Sequence, residues 1–264
     1  MLFWLYDLPL PLMAVLICLP CLAFTWGGLL VLRPRVRRWL GPQPGANDLV
    51  STFLSAYGVF YGLMLGLIAV ATYQNFSDVE TAVQREAAAV AGLYRDVSAH
   101  PQPARDQLQA ALREYTRFVI EDVWPAQQRG ELHPGDTRLV TELHAALTAF
   151  EPASRREELL HAEALREFDQ FHEARYLRLE VSSASLSPVL WWVVVIGAAL
   201  NLALLWLFSV DRLALHLLLS GTLALFVGLM LFFIAAMDYP FRGEESISPD
   251  AFALVRDRLM GGAR

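Results

Sequence analysis

Lysine is missing from this sequence of 264 residues, in which all 21 basic residues are arginine. No single site would remove lysine from a whole chain. We therefore interpret its absence as a bias in the base composition of the gene, which favours a bacterial source. Acidic residues outnumber the arginines, and the formal net charge is −6 at pH 7. This balance speaks against nucleic acid as a partner.

Cysteine is scarce as well, because Cys18 and Cys21 are the two in the chain. Two cysteines exclude a disulfide framework. Their spacing, Cys-Leu-Pro-Cys, matches a redox motif, but they lie in an apolar run without a basic neighbour that would favour a thiolate. We expect inert thiols on a membrane helix. A membrane redox protein is the alternative, and Cys→Ser variants would test it.

Familiar signatures of enzymes are absent too, including G-x-S-x-G, the P-loop and H-E-x-x-H. Glu158-x-x-His161 and Asp169-x-x-His172 have the spacing of carboxylate–histidine metal ligands. Both pairs fall on one predicted helix, whereas a di-metal bundle needs them on different helices. We predict a solvated helix face there, with no metal, no cofactor and no enzyme activity.

Apolar sequence is abundant, at 55% of the residues, and this indicates an integral membrane protein. Four runs without a charged residue are long enough to cross a hydrocarbon core of about 30 Å. They are 8–32, 53–73, 188–209 and 213–237. Ionisable residues inside spans usually mark transport pathways. Here His216 is the candidate, which speaks against a proton-coupled transporter but not against a passive channel.

The segment between the second and third spans holds 12 arginines and 19 acidic residues. Its apolar residues recur at i, i+3 and i+4, as in amphipathic helices. The sequence therefore predicts an all-α membrane protein with four transmembrane helices. Its parts are the first two spans in 1–73, an extramembrane helical bundle continuous with the second span in 74–185, the last two spans in 186–240, and a tail with a short helix in 241–264.

The second span carries a stripe of glycines, Gly58, Gly62 and Gly66, at every fourth residue. Such a stripe lets another helix approach closely. The partner is either a neighbouring helix of the same subunit or a helix of another subunit, and the sequence leaves both open.

A second stripe lies roughly opposite the glycines, at about 100° per residue. It has polar ends and an apolar middle. Its members are Tyr57, Tyr61, Met64, Ile68 and Thr72, with Gln74 and Asn75 just beyond its exit. On a lone helix this stripe would face lipid or core. Repeated around a symmetry axis, it would line a pore whose apolar constriction gates by dewetting.

Two segments of the chain resemble bestrophin ion channels. The run GLMLGLIAVATYQNFSDVETAVQRE, followed by AAAVAGLYRDV, resembles the second bestrophin helix, which leaves the membrane and enters the soluble bundle. The run LFFIAAMDYPFRGEESISPDAF resembles the pattern after the last bestrophin span. Together with the order of the spans, these runs make the chain similar to a bacterial bestrophin-like family.

This resemblance implies a homo-oligomer, in bestrophins a pentamer, with a central anion pore lined by the second span. It places Met64, Ile68 and Thr72 at the pore neck, with Tyr57, Tyr61, Gln74 and Asn75 at the entrance and exit. Thr72 departs from the large apolar residue expected there. The acidic cluster that binds calcium in animal bestrophins is sparse here, at Glu244, Glu245 and Asp250. We therefore predict no calcium site.

Membrane orientation receives opposing signals. Arg33, Arg35, Arg37 and Arg38 follow the first span and favour that side as the cytoplasm. The resemblance instead implies a cytoplasmic bundle in a bacterial inner membrane, and we adopt it. Our hypothesis is an oligomeric channel that conducts small inorganic ions, with membrane lipid and its own copies as partners. The alternative is a non-conducting membrane scaffold or sensor whose bundle binds a partner protein.

Overall fold

The computed structural model of the chain describes residues 3–6, 8–39, 45–131, 136–182 and 185–261, and all regular structure in these ranges is helical. The chain forms two compact units. Met1–Gln74 and Ser185–Tyr239 make up one, which we call the membrane unit. Asn75–Ala184 and Pro240–Arg264 make up the other, the bundle unit. The predicted all-α membrane fold is confirmed.

The membrane unit consists of four long helices. They are α1 (Leu10–Trp39), the first part of α2 (Ala46–Val97), α7 (Pro188–Leu204) and α8 (Leu213–Asp238). Short 3₁₀ turns lie at Phe3–Leu5 and Leu205–Leu207. By length and composition, α1, α2, α8 and the stretch Pro188–Leu207 are each able to cross a membrane. They match the four spans predicted from the sequence.

Indole rings lying on glycines hold α1 against α8 and against the 3₁₀ turn that follows α7. Trp206 donates its Nε1–H to the carbonyl of Thr25 at 3.0 Å, and its ring covers Gly28 so closely that a Cβ there would lie 2.1 Å away. Trp26 donates to the carbonyl of Leu217 at 3.0 Å and lies on Gly221. Glycine is required at both positions because the large ring occupies the space of a side chain.

Asp238, at the end of α8, holds the start of α7. Its buried carboxylate accepts from the backbone N–H of Leu186 at 2.7 Å and from the indole of Trp191 at 2.9 Å. The carboxylate thereby gives the Leu186 N–H a hydrogen-bond acceptor just before α7 begins. Negative charge is favourable at that end because the N-terminus of a helix is the positive end of its dipole. Trp191 is half-buried by this contact, whereas the adjacent Trp192 is exposed.

The bundle unit contains the second part of α2 and the shorter helices. These are α3 (Ala104–Phe118), a π turn (Val119–Val123), α4 (Trp124–Gln128), α5 (Asp136–Thr148), α6 (Arg155–Ser182) and α9 (Asp250–Arg258). Trp124 lies at the centre of the core, against Phe241 and Phe252. Its indole donates to the carbonyl of Ile247 at 3.0 Å, which ties the C-terminal segment to the bundle core.

Candidate functional site: the two faces of the second helix

The inner face of α2 is anchored to α7 by two tyrosines. Tyr57 and Tyr61 donate their hydroxyls to the carbonyls of Gly197, at 3.1 Å, and Val194, at 2.9 Å. The Tyr61 ring lies so close to Gly197 that a Cβ there would be 2.5 Å away. Tyr61 is thus buried between two helices of one protomer, and Tyr57 is half-buried beside it.

The residues predicted to form the pore neck also lie on this inner face. Ile68 and Thr72 are 9% and 3% exposed, and Met64 is partly buried against the same core. The Thr72 hydroxyl donates to the carbonyl of Ile68 at 2.8 Å, one turn back on its own helix. Neck residues must face a space between subunits, so this placement does not fit the predicted neck. The stripe has the periodicity of a core face, which is what it is within this protomer.

The predicted packing stripe, Gly58, Gly62 and Gly66, has no close neighbour among the described residues. A Cβ added to any of the three would meet nothing within 4 Å. Of the two partners left open by the sequence, a helix of the same subunit is therefore not found at this stripe. Of the residues predicted at the exit, Gln74 is exposed and Asn75 is half-buried.

The outward face of α2 carries exposed apolar side chains that the sequence reasoning passed over. Val59, Leu63 and Leu67 follow one another at four-residue intervals and are 69%, 61% and 63% exposed. Val70 extends the row and is 54% exposed. We call these four residues the outward band.

Exposed polar side chains lie on the same helix at both ends of the outward band: Thr52 and Ser55 before it, and Gln74 after it. No residue of α2 between Asp48 and Asp78 is charged. The outward face is therefore polar at both ends and apolar in the middle. The stripe from Tyr57 to Thr72 on the inner face has the same order of polar and apolar residues.

The comparisons with known proteins agree with this architecture. A family model described as Bestrophin-like domain matches residues 19–252. The chain belongs to the Bestrophin-like family. Two solved variants of a bestrophin homologue from Klebsiella pneumoniae are similar in fold, each at 12% sequence identity. Their TM-scores are 0.69 and 0.68, with 92% and 94% of this chain and 98% and 99% of theirs covered. Curated protein sequences give no match.

In this Bestrophin-like protein, α2 is also anchored within the bundle unit, by a buried ion pair. The Glu86 carboxylate accepts from the Arg178 guanidinium of α6 and from the Tyr115 hydroxyl of α3, and all three side chains are almost fully buried. Arg178 also donates to Gln127 at 3.5 Å. Burial, and next the Glu86 charge, raise the pKa of Tyr115 well above its ordinary value, so its hydroxyl stays a donor at physiological pH.

Three members of the two carboxylate–histidine pairs contact other described side chains. Glu158 pairs with Arg155 at 2.7 Å, and His161 lies 3.5 Å from a ring nitrogen of His100. The His172 ring packs near Phe168. Cys18 and Cys21 are free thiols, and Cys18 is buried against Gly228.

Three carboxylates of the bundle unit do converge. Asp96 of α2 meets Glu163 and Glu167 of α6, with ligand oxygens within 4.8 Å of one another. Such a group could hold a cation, since hard divalent ions prefer carboxylate oxygens. Glu163 already pairs with Arg166. Sequence reasoning missed this cluster because its members come from helices far apart in the chain.

Proposed function

We propose that this protein is a homo-oligomeric channel, with a pentamer favoured, that conducts small anions passively through a central pore lined by the outward face of α2. Val59, Leu63 and Leu67 form the neck. The observation that carries the proposal is the exposure of these side chains on a helix whose opposite face packs against its own protomer. A band of this kind, free of charge, is suited to meet its own copies around an axis and to gate by dewetting.

Membership of the family supports the choice of a channel over an enzyme, and the open space beside the three glycines supports close contact between subunits. With Gly58, Gly62 and Gly66 beside the band, neighbouring α2 helices approach closely enough to leave a narrow gap. The protein lies in the bacterial inner membrane, with the bundle unit on the cytoplasmic side. Lipid surrounds the spans, and small inorganic ions are the transported species.

The test is ion flux into liposomes containing the purified full chain. Leu63→Ala shortens a neck side chain, and we expect it to raise anion flux several-fold. Ile68→Ala is the matched control, because it removes a similar volume from the inner face of the same helix and leaves the neck unchanged. It should lower stability without raising flux.

Three outcomes would count against the proposal. Absence of flux from the wild type and from Leu63→Ala would refute conduction. Increased flux from Ile68→Ala with no change from Leu63→Ala would indicate that Met64, Ile68 and Thr72 form the neck. A monomer or dimer in native mass spectrometry would favour the non-conducting scaffold or sensor, because a pore lined by one helix per subunit needs more copies.

A further inference from the structure

An apolar groove separates α2 from α7 at one end of the membrane unit. It has a volume of about 420 Å³ and is lined by Phe53, Tyr57, Leu200, Ala203, Leu204 and the segment Trp206–Leu207. None of these residues is charged. Tyr57 bridges the two helices through its bond to Gly197, and the groove lies beside this bridge.

The rim of the groove opens sideways, away from the core of the protomer. Phe53, Leu200 and Leu207 are 62%, 53% and 36% exposed. All three belong to helices long and apolar enough to cross a membrane. At this depth the medium that can enter the groove from the side is bilayer hydrocarbon, and an acyl chain is the occupant that suits its apolar lining.

Arginines gather just beyond this end of the groove. The loop that follows Leu207 is held by Arg33, whose Nη2 donates to the carbonyls of Val210, at 3.2 Å, and Asp211, at 2.8 Å. Val210 is three residues from Leu207, a distance of about 10 Å at most. Arg33 Nε is buried and has no hydrogen-bond partner among the residues that the structure describes.

Arginines outnumber acidic residues at this end of the membrane unit. Arg33, Arg35, Arg37 and Arg38 lie within six residues at the end of α1, and Arg212 follows the loop. Asp211 pairs with Arg37 at 3.2 Å. Arg35 and Arg38 are exposed, and the Arg35 guanidinium donates to the backbone carbonyl of Val31. A headgroup here meets more positive charge than the acids neutralise, which favours an anionic lipid over a zwitterionic one.

We propose that this groove and the arginines beyond it form a binding site for one anionic phospholipid, with an acyl chain between α2 and α7 and the phosphate at the arginines. The apolar cavity selects a lipid over a soluble phosphate compound, and the arginines select a negative headgroup. The site depends on the membrane unit of one protomer and does not depend on conduction.

The test is native mass spectrometry of the delipidated full chain, titrated with phosphatidylglycerol or phosphatidylcholine of the same acyl chains. We expect the wild type to prefer phosphatidylglycerol. The double variant Arg35→Gln/Arg38→Gln should weaken phosphatidylglycerol binding about tenfold or more and leave phosphatidylcholine unchanged. Arg155→Gln/Arg156→Gln, an exposed pair on the bundle unit, is the matched control and should change neither affinity.

A second variant tests the groove independently of charge. Ala203→Trp places an indole in the cavity and should weaken both lipids equally. Glycerol phosphate, which has a headgroup without chains, should not displace bound phosphatidylglycerol. Equal binding of the two lipids by the wild type, unchanged selectivity in the arginine variant, or displacement by glycerol phosphate would each overturn the proposal.

Discussion

The buried pair between Glu86 and Arg178 gives the sharpest test of how α2 is held within the bundle unit. Arg178→Met leaves the Glu86 carboxylate without its cation, in a site where both side chains are fully buried. Removing one partner of a buried pair costs about 3–5 kcal/mol, because the remaining charge is uncompensated. Glu86→Leu should cost a similar amount, since it leaves the Arg178 guanidinium without its carboxylate.

The double variant Glu86→Leu/Arg178→Met should cost much less than the two single changes together. It leaves no buried charge from the pair, and leucine and methionine restore apolar packing. What remains is the Tyr115 hydroxyl, which loses its acceptor at Glu86 at a cost of about 1–3 kcal/mol. The predicted coupling between the two positions is therefore several kcal/mol.

Hydrogen exchange measured by mass spectrometry on the full chain in detergent provides the assay. It reports local stability, so the two compact units are followed separately and no single unfolding transition has to be assumed. Peptides from the bundle part of α2 and from α6 should lose protection in each single variant and regain most of it in the double variant. Peptides from α8 serve as the internal control. Single costs that simply add would refute the reasoning.

Two further predictions concern packing and pH. Gly28→Ala should destabilise the protein by about 1–3 kcal/mol, because its Cβ would collide with Trp206, whereas the adjacent Gly27→Ala meets nothing within 4 Å and should leave the thermal midpoint nearly unchanged. Equal effects of the two changes would contradict this packing. Burial, and next the His100 ring, lower the pKa of His161, so the unfolded chain binds its proton more readily. The contribution of His161 to stability is present above the ordinary histidine pKa of about 6.5 and is lost as pH falls through the lowered value. Acidification from pH 7 to about 5 should therefore reduce protection of the bundle unit less in His161→Gln than in the wild type, and an identical loss would contradict the assignment.

The sequence predicts the helices well, because length, missing charge and periodicity are local properties. The predicted fourth span, 213–237, differs from α8, Leu213–Asp238, by one residue. Asp238 shows why charge alone places such ends imperfectly. Its carboxylate is buried at the end of the helix and bonded to Leu186 and Trp191, so it belongs to the helix that it seemed to terminate.

The choice between the two faces of α2 was beyond the sequence for a physical reason. In a soluble helix, hydrophobicity separates the buried face from the exposed one. In a span both the lipid and the protein core are apolar, so Ile68 and Leu63 look alike. The deciding contact is Tyr61 against Gly197, and its two residues lie far apart in the chain. The sequence shows the four-residue spacing of Val59, Leu63 and Leu67. Met64, Ile68 and Thr72 have the same spacing, so periodicity does not tell which set faces the pore.

The polar anchors of α2 follow from the same physics. Tyr57 and Tyr61 reach backbone carbonyls of α7, where apolar contacts alone would not fix the rotation of a helix in lipid. In the bundle unit, Glu86 bonds Arg178 and Tyr115, and so fixes the bundle part of α2 through directional contacts. A helix whose inner face is set by directional bonds at several heights presents a defined outward face. A pore neck requires a defined outward face, since rotating α2 by about half a turn would exchange Leu63 for Ile68.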